Sequence, residues 1–88
     1  MRLTRDEALR DLSDLLAEVR ARAGLAERST AVFYRHRRAF LHFHLEPPGM
    51  IAHLKEARAW RKLPVNTAAE QKRFLAALDS AMNAIEAK

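Results

Sequence analysis

Residues 30–46, TAVFYRHRRAFLHFHLE, decide how this 88-residue chain folds. Side chains alternate between the two faces of a strand. The second half therefore places Phe40, His42, His44 and Glu46 on one side and Leu41, Phe43 and Leu45 on the other. The first half places Val32, Tyr34 and His36 against Ala31, Phe33 and Arg35. With Arg37-Arg38 as the connecting loop, directly opposed residues share a face. Tyr34 then meets Leu41, Val32 meets Phe43, Phe33 meets His42, and Arg35 meets Phe40. This register collects Val32, Tyr34, Leu41, Phe43 and Leu45 on one apolar face. A wider loop from His36 to Ala39 keeps the same pairing. Arg37-Arg38 lacks the Gly or Asn that tight hairpin turns favour, and a slip of one residue would exchange the faces of one strand.

The rest of the chain supplies what a hairpin needs to be covered. Leu3-Thr4-Arg5-Asp6-Glu7 opens a helix, with Thr4 and Glu7 spaced as a capping box and Leu3 placed to staple onto Ala8. Ala8, Leu9, Leu12, Leu15, Leu16, Val19 and Ala23 form its apolar stripe, and Gly24 suits its end. Residues 25–29 read as a connection. Pro47-Pro48-Gly49 breaks the strand. Met50 to Ala57, MIAHLKEA, is rich in helix formers and reads as a short helix or irregular turn, with a third strand as the alternative. Residues 59–65, AWRKLPV, read as a short strand with Pro64 at an edge or at its end. Thr67 and Glu70 form a second capping box, opening a helix whose stripe is Phe74, Leu75, Leu78, Ala81, Met82 and Ile85. The expectation is a single α+β domain over residues 1–88, with an antiparallel sheet of three or four strands and both long helices on one face.

Composition narrows the function classes. Hydrophobic residues at 49% and charged residues at 31% are globular proportions, which exclude a disordered chain. The absence of Cys excludes disulfides and thiolate chemistry. No apolar run approaches the ~20 residues of a membrane span, and the charged N-terminus lacks the apolar core of a secretory signal. A cytoplasmic protein without membrane association is expected. The net charge is +5, and it is unevenly spread. Residues 28–73 carry ten basic side chains against Glu46, Glu56 and Glu70, a balance that favours anionic partners.

Three candidate sites follow. His42 and His44, two apart on a strand, point the same way, and Glu46 continues that face. With His36 or His53 as a third donor they would suit zinc or another divalent ion, the one cofactor the residues admit. Arg35, Arg37 and Arg38, flanked by Phe33 and Phe40 and extended by Arg61 and Lys62 beside Trp60, would suit nucleic acid through phosphate contacts and base stacking. Trp60 itself reads as a core residue. Phe33 and Phe40, opposite the main apolar face, would form an exposed patch for a protein partner or a second copy of the chain. No nucleophile context, phosphate loop or Cys supports catalysis, so a non-catalytic interaction or self-association module using the outer face of the 30–46 hairpin is the leading expectation. Nucleic-acid and divalent-metal binding are the alternatives.

The run FLHFHLEPPGM (residues 40–50), followed by LPVNTAAEQ (residues 63–71), resembles small bacterial proteins of unknown function. In those a Phe-rich hairpin strand precedes a Pro/Gly break and a C-terminal helix. The resemblance spans roughly residues 30–80 and implies the same α+β fold, with no activity or functional residue attached.

Overall fold

The computed structural model describes residues 4–46, 49–56 and 58–86, with the backbone alone for 84–86. The Leu3 staple, Pro47-Pro48, Ala57 and the side chain of Ile85 lie outside the described residues. Two short helices, α1 (Arg5–Asp11) and α2 (Ser13–Arg20), lead into five strands and a long C-terminal helix. The strands are β1 (Ala26–Ser29), β2 (Val32–Arg35), β3 (Arg38–Glu46), β4 (Gly49–Glu56) and β5 (Ala59–Pro64), and the helix is α3 (Ala68–Glu86). The strands form one antiparallel sheet in the order β1-β2-β3-β4-β5. The fold is α+β, as expected, with more strands than the sequence suggests.

Both capping boxes are present. The Thr4 hydroxyl accepts from the Glu7 N–H while the Glu7 carboxylate accepts from the Thr4 N–H. Thr67 and Glu70 repeat the exchange ahead of α3. Between α1 and α2 the chain bends at Leu12, yet the apolar stripe runs through the bend: Ala8, Leu9, Leu12, Leu15, Leu16 and Val19 are all buried. Phe74, Leu78, Ala81 and Met82 of α3 join them on Phe43, Ala52, Leu54 and Leu63. Phe43 and Phe74 meet edge to face with centroids 5.6 Å apart, a favoured aromatic geometry.

Three expectations are corrected. Residues 49–56 form strand β4, because a strand between two partners buries Met50, Ala52 and Leu54 on one side and turns Ile51, His53 and Lys55 to the other. Helix propensity is a weak prior against such packing. Residues 26–29 form an edge strand whose four side chains are all exposed, leaving no apolar alternation to read.

The third correction is the register of the central hairpin. The loop is His36-Arg37, with Arg35 paired to Arg38, Tyr34 to Ala39, Phe33 to Leu41 and Val32 to His42. His36 and Arg37 both adopt positive φ, at 53° and 68°, which is what the hairpin turn matching strand twist demands. A bulge then follows at Phe40, so Phe40 and Leu41 are both buried. The slip moves Phe33 into the core with Leu41 and Phe43, and leaves Val32 and Tyr34 on the opposite face with His42.

Candidate functional site

The helices occupy one face of the sheet. On the other, β3 presents His42, His44 and Glu46, β4 presents Ile51, His53 and Lys55, and β5 presents Trp60, Lys62 and Pro64. The pairings His42–His53–Lys62, His44–Ile51–Pro64 and Lys55–Trp60 place these in successive rows across the strands. None of them is buried. Trp60 is 39% exposed, the one large hydrophobic residue so exposed among the described residues. It belongs to this outer face and not to the core, contrary to its reading as a core residue. Its opposite parity to Leu63 and Val65 was the readable signal, because both of those turn inward.

The rings on this face form a continuous strip. Trp60 stacks on His42 with centroids 5.2 Å apart and planes 26° from parallel. His42 touches His53 at 4.6 Å, and His53 touches His44 at 5.6 Å. The Lys55 ammonium lies 5.3 Å from the Trp60 ring centre, and at the other side of the sheet Arg28 lies 5.3 Å from that of Tyr34; both are within cation–π range. Glu46 is the acid of this strip, 3.9 Å from Lys62 Nζ and 4.0 Å from His53 Nε2. Burial, reinforced by neighbouring imidazoles, pushes the His42 pKa down, and burial together with Lys62 does the same to His53. Both rings therefore favour their neutral form.

Strand β2 is shorter than β3, so a groove opens beyond Val32. Arg5 of α1 fills part of it, donating through Nε to the Phe43 carbonyl (3.3 Å) and through Nη2 to the Thr30 carbonyl (3.0 Å). The groove, about 540 Å³ and open to solvent, is lined by Arg5, Asp6, Ser29, Thr30, His42 and His44, among others.

The residues singled out from the sequence are only partly brought together. His42, His44 and Glu46 share a face as expected, and His53 joins them across the β3–β4 pairing. His36 stands apart, exposed in the β2–β3 turn. No three His, Asp or Glu side chains among the described residues are arranged to hold a metal ion as they stand. The Arg set is divided. Arg35 is 4% exposed on the core side, with its guanidinium 5.9 Å from the Phe40 ring centre. Arg37 and Arg38 are exposed at the hairpin turn. Arg61 pairs with Glu56 on the helix side at 3.4 Å, and Lys62 alone lies on the outer face. Phe33 and Phe40, expected as an exposed patch, are 1% and 3% exposed. Their burial follows from the register shift and the bulge.

Among the described residues no helix is long and apolar enough to cross a membrane. No family model matches the sequence, and no curated protein or solved structure is significantly similar to it.

Proposed function

We propose that this protein is a non-catalytic binding module whose outer sheet face receives single-stranded nucleic acid. One observation carries the reading. Trp60, His42, His53 and His44 form a strip of rings across three adjacent strands on a face the helices leave uncovered. Exposed rings on an open sheet are the physical basis of base stacking, which tolerates any sequence because every base has a π-face. The charge around the strip agrees: Lys55 and Lys62 stand against Glu46, with Arg28 at the far edge of the sheet, in a chain of net charge +5. The same charge opposes self-association through this face, since a two-fold contact would set like charges against each other. The Phe pair that favoured self-association in the sequence lies in the core.

Trp60 is the sole tryptophan, so intrinsic fluorescence reads this face directly. Titration with an oligothymidylate in low salt is expected to quench Trp60 emission. Affinity should fall as salt rises, with a logarithmic slope of about −1.4 to −2 if two to three phosphates are neutralised. Trp60→Phe should retain binding measured by anisotropy of a labelled oligonucleotide, and Trp60→Ala should lose about tenfold or more. Absence of binding in low salt, or binding indifferent to Trp60→Ala, would overturn the proposal. A concentration-dependent dimer abolished by Trp60→Ala would assign the face to self-association instead.

A further inference from the structure

We infer that His53, His44 and Glu46 form a binding site for a divalent transition-metal ion, zinc by its donor set, at the end of the outer face away from Trp60. The site shares His53 and His44 with the ring strip and adds Glu46, and it rests on the environment of the His53 nitrogen rather than on stacking. His53 Nε2 is buried and has no hydrogen-bond partner, an arrangement that is costly for a nitrogen unless something binds it. The group it faces is the Glu46 carboxylate, 4.0 Å away. His44 stands between them on β3, two residues before Glu46 and diagonal to His53 across the β3–β4 pairing.

The distances suit one ion. Two imidazoles on a tetrahedral zinc place their ring centres about 5 Å apart, and neighbouring donor atoms about 3.3 Å apart. The rings of His44 and His53 are 5.6 Å apart. The His53–Glu46 separation exceeds the bound spacing by less than an ångström. Glu46 is about half exposed and His44 is exposed, so both side chains have room to turn inward. Among the described residues no closed donor set is present, so binding requires both side chains to turn. His42 is held elsewhere, stacked on Trp60. Lys62, 3.9 Å from Glu46, is the competing cation that a metal would displace. Two His and one carboxylate leave the fourth position of a tetrahedral ion to water.

The test is zinc chloride titrated into chelator-stripped protein, followed by calorimetry and by thermal unfolding. One equivalent should bind. At a hundredfold excess over Kd the unfolding midpoint should rise by about 10 °C or more. His53→Ala and the exposed His44→Ala should each weaken binding about tenfold or more, and Lys62→Met should strengthen it by relieving Glu46. His42→Asn, His36→Ala and Trp60→Ala should leave it unchanged, which separates zinc binding from stacking on Trp60 and His42. Failure of the wild type to bind zinc, or undiminished binding in His44→Ala, would overturn the inference.

Discussion

The side chain of Asn66 hydrogen-bonds both backbone groups of Met50. Its Oδ1 accepts from the Met50 N–H at 2.8 Å, and its Nδ2 donates to the Met50 carbonyl at 3.2 Å. Strand β5 ends at Pro64, and Val65 donates to the same carbonyl at 3.2 Å. The Asn66 amide thus continues the β4–β5 ladder past the point where proline stops it. It also ties the start of α3 to β4, because Asn66 donates its own N–H to Glu70 at 2.9 Å.

Asn66→Ala should therefore cost about 1–3 kcal/mol, the range for stranding partly buried backbone groups. Gly49→Ala should act on the same pair, since a Cβ there would collide with the Asn66 amide. Chemical denaturation of the two single variants and the double variant checks this. A double variant no worse than the poorer single one is the expected outcome.

The β2–β3 turn holds His36 and Arg37 at positive φ, a conformation that costs L-residues roughly 1–2 kcal/mol each outside Gly, Asn and Asp. Replacing the pair by Asn-Gly should raise stability by about 1 kcal/mol without altering the sheet. A denaturation midpoint unchanged or lowered would contradict the turn geometry.

Glu27 accepts from both Arg20 Nε and Nη2 at 2.8 Å, and from the Ala31 N–H at 2.8 Å. These bonds, the Arg20 pair foremost, hold its carboxyl below its ordinary value of 4.5. A carboxylate with a folded pKa below its unfolded one contributes stability that is fully present above the unfolded value. That contribution is lost as pH falls through the folded value. Unfolding free energy should decline below about pH 4.5, and Glu27→Gln should be less stable than wild type at pH 7 while losing less on acidification. Parallel pH profiles for the two proteins would refute this role of Glu27.

Phe74 is fully buried against the edge of Phe43. Phe74→Ala should cost about 3–5 kcal/mol, whereas Trp60→Ala, at an exposed position, should stay within about 1 kcal/mol of wild type. Comparable losses in the two variants would mean that Trp60 is not on an open face.

The helical segments were legible in the sequence because their signals are local: Thr4 with Glu7, Thr67 with Glu70, and apolar stripes at helical spacing. The break at Leu12 and the end at Arg20, short of Ala23 and Gly24, were not. Strand β3 was equally plain from Leu41, Phe43 and Leu45. The hairpin register was not, because His36 and Arg37 carry no chemical mark of their left-handed backbone. The Phe40 bulge compounded this by sending two successive side chains inward, breaking the period of 2. MIAHLKEA hid β4 for a related reason: its strand character comes from neighbours on both sides. With β4 unread, His53 could not be placed beside His42 and His44, and the ring strip on the outer face stayed out of sight.

Because each strand pairs only with its neighbours in the chain, the whole sheet can be assembled by adding one hairpin at a time, with short loops to close. The remaining long-range step joins the chain's two ends, where Arg22 grips Asp79 through Nε and Nη2 at 2.6 and 3.1 Å across 57 residues. Folding should be rapid for an α+β protein with a five-stranded sheet, and its slowest event should be the docking of the N-terminal helices and α3 onto a sheet already formed.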